Sequence, residues 1–222
     1  MSLQQTYLIC NNERYPHYHC TFYQPVSAGK DSFSHSLLRF KEGKQPDLSG
    51  WLDCALESFG SAPIPGGTLI VRALHHYETR LSPLPTALDL LGTTLAEEYH
   101  HYYCPRLLQK KTLTLPIKGL TRAERRSRLK DLYCIDEDYA ASLPEKSPAS
   151  ILVIDDLLTT GTTARAIIRL LKRFYQRAGV AVFTLARAGA AGRHDQPAIL
   201  TGPRYQLQQG MSWTRSTHLP KF

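Results

Sequence analysis

The chain has 222 residues, of which 42% are apolar and 21% charged. This is ordinary for a soluble globular protein of one to two domains and excludes disorder as the main state. Lys and Arg number 27 against 19 Asp and Glu, a net charge of +8, which favours anionic partners (phosphates, nucleotides or nucleic acid) without choosing among them.

Residues 1–65 are rich in aromatics and histidine and are interrupted by Pro16, Pro25, Pro46, Pro63 and Pro65. Within them Ser34–Arg39 reads as the core of a short helix and Asp47–Phe59 as another. The PIPGG stretch at Pro63–Gly67 is a turn signal and the expected boundary between a small N-terminal cap, 1–65, and a core with a C-terminal tail, 66–222. Thr68–Leu74 is a β-branched run suited to a buried strand. Leu84–Tyr103 keeps a helical period through Leu84, Ala87, Leu88, Leu91, Leu95 and Tyr99. Arg106–Thr112 is a basic candidate strand, and Thr121–Lys130 a helix opened by a Thr121/Glu124 capping box. Ser150–Asp155 reads as a central strand, Gly161–Ala178 as an amphipathic helix stopped by Gly179, and Val180–Ala186 as a further strand. Arg204–Gln208 is a candidate edge strand in the tail. Strand–helix–strand alternation of this kind implies an α/β fold with a mostly parallel sheet.

The longest purely aliphatic run is four residues, Ile151–Ile154, too short to span a bilayer. The first twenty residues lack a basic start and an apolar stretch, so the expected compartment is the cytoplasm. Five cysteines, at Cys10, Cys20, Cys54, Cys104 and Cys134, include no CxxC pair, and reduced thiols are expected.

The segment that carries chemistry is Ile151-Leu152-Val153-Ile154-Asp155-Asp156-Leu157-Leu158-Thr159-Thr160-Gly161-Thr162-Thr163. A buried strand leads into two adjacent acids, then a Thr/Gly loop, then a helix. Ligands of open α/β sheets bind at the carboxyl ends of strands. A helix N-terminus with backbone N–H groups and hydroxyls is an anion site, and Gly161 allows close backbone approach. The acids can accept hydrogen bonds from vicinal hydroxyls. Phosphate on the loop and a diol on the acids describe a ribose 5-phosphate.

This string resembles, without a gap over thirteen positions, the motif by which type I phosphoribosyltransferases bind 5-phosphoribosyl 1-diphosphate (PRPP). Ile70–Arg80 (IVRALHHYETR), Leu91–Tyr99 (LGTTLAEEY), Lys111-Thr112 and Gly119–Arg128 (GLTRAERRSR) resemble the competence-associated, ComF-like branch of that family. That branch usually opens with a paired-cysteine zinc ribbon, which this chain lacks, and where the branch has Arg-Gly-Phe-Asn-Gln this chain has Leu84–Leu88, LPTAL. The resemblance covers about residues 66–190. It implies a Rossmann-like parallel sheet flanked by helices. It also implies transfer of a 5-phosphoribosyl group between PRPP and a nitrogenous base with Mg²⁺ required, and homodimers are common among such proteins. Asp155 and Asp156 would be the catalytic acids on the ribose hydroxyls. Leu158, Thr159, Thr160, Gly161, Thr162 and Thr163 would hold the 5-phosphate. Arg72, Ala73 and His75, with His76 beside them, would face pyrophosphate, or else be ordinary polar residues leaving a strand. Arg122, Arg125 and Arg126, in a run of six basic residues from Lys118 to Lys130, would close over it, or else form a solvated or nucleic-acid-binding face. Two other classes stay open: a regulator that binds PRPP or nucleotides without turnover, acting in DNA uptake or gene control, and a nucleic-acid-binding module. Cys10, His17, His19 and Cys20 form a candidate zinc cluster, set against an ordinary strand or loop.

Overall fold

The computed structural model describes residues 3–24, 32–75, 77–79, 84–111 and 132–189. In chain order its elements are β1 (Gln4–Cys10), β2 (Glu13–Tyr23), α1 (Ser32–Lys41), α2 (Asp47–Phe59), β3 (Leu69–Arg72), α3 (Ala87–Tyr99), β4 (Tyr102–Tyr103), β5 (Leu108–Lys110), β6 (Tyr133–Ile135), α4 (Glu137–Ser142), β7 (Ser150–Leu158), α5 (Thr162–Phe174) and β8 (Gly179–Ala188). Six strands form one sheet in the order β1-β2-β8-β7-β3-β4, and β5 and β6 form a separate pair. Within the large sheet only β1–β2 is antiparallel.

Period-two alternation splits the strands between two cores. Leu69, Val71, Ile151, Val153, Val180 and Val182 face Ile167, Ile168 and Leu171 of α5. Ile70, Leu152, Ile154, Ala181, Phe183 and Leu185 face Leu37, Phe40, Trp51, Phe59, Leu91 and Leu95 of α1, α2 and α3. The expected α/β architecture, a mostly parallel sheet with helices on both faces, is therefore what the chain adopts. No helix among the described residues is long and apolar enough to cross a membrane.

Several elements match their expected bounds closely. α2 spans the expected residues, and α1 extends the Ser34–Arg39 core at both ends. Others are trimmed for local reasons. α3 starts after Pro85, at a Thr86 N-cap whose hydroxyl accepts from Asp89 N–H while Asp89 reaches back to the Thr86 N–H. It stops at His100 in a left-handed conformation (φ 56°), so Tyr102 and Tyr103 leave as a short edge strand rather than a last helical turn. α5 ends at Phe174, before the expected Gly179, which instead opens β8. Lys172 Nζ donates to the carbonyls of Gln176 and Ala178 just beyond that end. The Arg106–Thr112 strand shrinks to Leu108–Lys110 and pairs antiparallel with β6 outside the main sheet. The expected helix at Thr121–Lys130 and the strand at Arg204–Gln208 lie outside the described residues.

The N-terminal region shows the largest difference from expectation. The segment expected as a cap contributes a hairpin to the central sheet, with β2 pairing parallel to β8 from His17–Val182 onward. β2 is hard to read because most of it is buried on both faces and Pro16 looks like a breaker. Pro16 stands one residue before the β8 ladder begins, so its missing N–H interrupts nothing there. The usable signal was Asn11-Asn12, both at positive φ (51° and 65°), the residue type that two-residue hairpin turns favour.

His17 and His19 lie fully buried on one face of β2, ring centroids 5.1 Å apart. His17 bridges Thr6 Oγ1 (Nδ1, 2.9 Å) and Thr184 Oγ1 (Nε2, 2.9 Å), one donor and one acceptor position, as a neutral imidazole offers. His19 Nδ1 donates to the Thr21 carbonyl at 3.0 Å. Burial, with smaller effects from neighbouring positive charge, lowers His17 to about 3. Burial, partly offset by the bond to Thr21, lowers His19 to about 4. Below about pH 6.5 the unfolded chain therefore binds protons that the folded chain refuses, so stability falls as pH drops. Thermal unfolding midpoints are expected to decline from pH 6.5 to 5, above the main carboxylate range, and a His17→Gln/His19→Gln variant should flatten that slope. A wild-type midpoint constant over this interval would refute the assignment.

Candidate functional site

The carboxyl ends of β3 and β7 lie side by side in the sheet, with Arg72 paired to Ile154, and the chemistry-bearing residues gather there. β7 does not end at the acids, as expected, but runs through them to Leu158. Asp155 and Asp156 are thus consecutive strand residues and point to opposite faces. Asp156 is buried, with Lys41 Nζ of α1 2.6 Å from its Oδ2. Its backbone N–H donates to Asp155 Oδ1 at 2.9 Å. Burial raises the Asp155 carboxyl well above its ordinary range, and the charge of Asp156 adds to this while Lys41 opposes it. The pair is therefore asymmetric: Asp156 is matched by a cation, and Asp155 favours its proton.

After Leu158, which is buried in the core and so presents no side chain to a ligand, Thr159 and Thr160 are exposed, and Thr162 and Thr163 are half-buried. Thr160 Oγ1 and Thr162 Oγ1 share a hydrogen bond of 2.8 Å. Gly161 is the N-cap of α5, with φ 69°, no side-chain cap and no acidic residue in the first turn. A Cβ on it would meet Leu8 Cδ2 of β1 at 2.7 Å. Arg165 ties the loop down, Nη1 donating to the Thr160 carbonyl (2.5 Å) and Nε to the Ile9 carbonyl of β1 (2.9 Å). The first-turn N–H groups of α5 and the threonine hydroxyls thus lie together at one helix N-terminus, the positive end of the helix dipole.

The segment after β3 corrects the sequence expectation. Arg72 is 1% exposed, and its guanidinium is occupied. Nε donates to Asp89 Oδ1 (2.5 Å), and Nη1 and Nη2 form a two-pronged pair with Glu78 (2.9 Å each). Against burial, Glu78, Tyr103 and Asp89 raise its proton affinity above the ordinary arginine value. Arg72 is a structural cation, not one facing a leaving group. The N–H of Ala73 donates to the Ile154 carbonyl (2.9 Å) and that of His75 to Glu78 Oε2 (2.7 Å), so these amides also serve the fold. The His75 ring stacks on Tyr77 at 5.3 Å, and burial lowers its proton affinity although Glu78 and Asp156 oppose this. Lys110 of β5, 6% exposed, donates from Nζ to the carbonyls of Leu74 (2.8 Å) and His75 (2.6 Å). Burial brings it down to about 8 against the pull of Glu78 and Asp155.

The candidate zinc cluster does not assemble. Cys10 donates to the Arg165 carbonyl at 3.7 Å. His17 and His19 share a face of β2, and Cys20, of opposite parity, belongs to the other core with Cys54. No group of three or more His, Cys, Asp or Glu among the described residues could hold a metal ion. Arg122, Arg125, Arg126 and His76 lie outside the described residues. Sequence reasoning missed Lys41, Glu78, Asp89, Lys110 and Arg165. Only Asp89 carried a local signal, the hydroxyl–acid spacing of a capping box with Thr86. The others depend on contacts distant in sequence or on burial.

No protein-family model and no curated protein matches the chain. Among solved structures it is similar to an adenine phosphoribosyltransferase (18% identity, covering 64% of this chain and 67% of that one, TM-score 0.34). It is similar to orotate phosphoribosyltransferase from Aeropyrum pernix (15%, covering 84% and 76%, TM-score 0.34). It is also similar to adenine phosphoribosyltransferase from Trypanosoma brucei in complex with AMP, pyrophosphate and ribose-5-phosphate (12%, covering 81% and 90%, TM-score 0.37).

Removing the Arg72 guanidinium leaves Glu78 and Asp89 as uncompensated buried carboxylates. Arg72→Met is expected to cost about 3–5 kcal/mol of unfolding free energy, measured by urea denaturation. A loss under about 1 kcal/mol, the worth of an exposed pair, would show that the guanidinium is not the clamp described.

Proposed function

We propose that this chain binds a ribose 5-phosphate unit and transfers a 5-phosphoribosyl group between PRPP and a nitrogenous base. One observation carries the reading: Asp155–Asp156 on β7 lead directly into a threonine loop that opens α5 through a left-handed glycine with no side-chain cap. In this reading the exposed threonines and the first-turn amides of α5 receive the 5-phosphate. Asp156, ion-paired to Lys41, accepts a hydrogen bond from a ribose hydroxyl. A base nitrogen forms its bond to the ribose C1 as the bond from C1 to the diphosphate oxygen breaks, and that electron pair leaves with pyrophosphate. On its sequence strings we place the chain nearest the competence-associated branch of phosphoribosyltransferases.

Mg²⁺ enters this proposal as a companion of the substrate's diphosphate. The acid pair does not fit a metal of its own, because the Lys41 ammonium already lies on Asp156. No step is assigned to a protein-held ion.

The test is calorimetric titration of ribose 5-phosphate, and of PRPP with Mg²⁺, into wild type and an Asp155→Asn/Asp156→Asn variant. Both ligands are expected to bind wild type, with affinity for each falling about tenfold or more, about 1.4 kcal/mol, in the variant. Pyrophosphate release over a panel of bases then separates an enzyme from a regulator that binds without turnover. Silence toward phosphate, ribose 5-phosphate and PRPP together would overturn the reading. Strongly salt-dependent DNA or RNA binding that survives the double substitution would replace it with a nucleic-acid module.

A further inference from the structure

Two adjacent carboxylates within a largely buried strand call for a positive partner. That partner is a proton, a metal ion or a side chain, because an unmatched buried charge is costly. Here the partner is visible. Lys41 is the last residue of α1, more than a hundred positions away in sequence, and its Nζ lies 2.6 Å from Asp156 Oδ2. The carboxylate side chain is 6% exposed and the lysine side chain 36%, so a buried acid is met by a cation from a partly exposed helix end. A Mg²⁺ ligand bond is about 2.0–2.1 Å, so a divalent ion on the same oxygen would collide with the ammonium and be repelled by it. Among the described residues, the other charged and titratable groups facing the cluster are Asp155 and His75 beside Asp156, Tyr23 beside Lys41, and Lys110 and Tyr133 beside Asp155. Apart from Asp155 itself, none of these described groups is an acid that would add a further oxygen ligand at Asp156.

We infer that Lys41 occupies the place a divalent metal would take at Asp156, so that this carboxylate carries its own tethered cation and excludes metal. The inference goes beyond the ribose-phosphate reading and stands without it, since it concerns the chain with no ligand bound. It makes Lys41 a positioning residue. The lysine holds Asp156 Oδ2 in an ion pair and couples the first helix to the site.

The experiment is Mn²⁺ titration without any sugar or phosphate, following free Mn²⁺ by electron paramagnetic resonance. It is run on wild type, Lys41→Gln, Lys41→Arg and Lys41→Gln/Asp156→Asn, each checked for folding by thermal melting. Wild type and Lys41→Arg are expected to bind weakly. Lys41→Gln should gain one site about tenfold tighter or better, about 1.4 kcal/mol, and the double variant should lose that gain. Equal binding by wild type and Lys41→Gln, or an equal gain in Lys41→Arg, would overturn the inference. If Lys41→Gln does not fold, wild type decides alone: one tight Mn²⁺ per chain that Asp156→Asn abolishes overturns it, and weak binding unchanged by Asp156→Asn supports it.

Discussion

Arg72 is a permanent charge with no access to water, and much of the site is arranged around that fact. A guanidinium inside a protein is tolerated only where its N–H fork meets carboxylates in good geometry. Glu78 and Asp89, 6 and 17 residues further along the chain, both meet it. Glu78 also takes the His75 amide, which folds the segment after β3 back onto the strand. Asp89 also accepts from Tyr103 Oη (2.6 Å) and from the N–H and hydroxyl of Thr86, which locks the start of α3 to β4. A Cβ at Gly92 would lie 2.2 Å from the Tyr103 ring. The glycine in α3 is thus what lets that tyrosine reach Asp89, and the helix, the edge strand and the segment after β3 form one unit.

Lys110 and Lys41 extend the pattern. Lys110 is buried and aimed at two carbonyls of the same segment, a neutral partnership consistent with its lowered proton affinity. Lys41 is half-exposed and aimed at a carboxylate. The three cations therefore do different things: Arg72 holds architecture, Lys110 sets the carbonyl directions of residues 74 and 75, and Lys41 balances the charge of Asp156. A count of basic residues cannot separate these roles, because burial and partner distinguish them, not residue type.

What could be read from the sequence follows from the range of the forces involved. α2, α3, β7 and β8 carry their own hydrophobic periodicity, and the Asp155–Thr163 string declares its turn and helix start locally. β2 hides because burial on both faces removes the alternation that marks a strand. Arg72 was misread because a charged residue at a strand end ordinarily leads into solvent, and only Glu78 and Asp89 make its burial possible. Lys41 was invisible because it acts on β7, more than a hundred residues away, and Arg165 because one of its two partners, Ile9, stands on β1 far away in sequence.

The loop that opens α5 is where these long-range and local demands meet. Gly161 has two reasons to be glycine that owe nothing to a ligand: its positive φ, and Leu8 standing where a Cβ would go. The glycine alone is therefore weak evidence for phosphate. The remainder of the loop departs from an ordinary helix start. A turn built only to start a helix places a side-chain oxygen at the N-cap and an acid in the first turn. Here the N-cap is bare and the first turn has no acid. The flanking hydroxyls of Thr160 and Thr162 bond to each other rather than to the helix. Arg165 binds the carbonyl side of the loop, so a basic group stands at the positive end of the helix dipole rather than the acid that would complement it. A helix start arranged this way leaves the positive end of α5 without a complementary acid in its first turn.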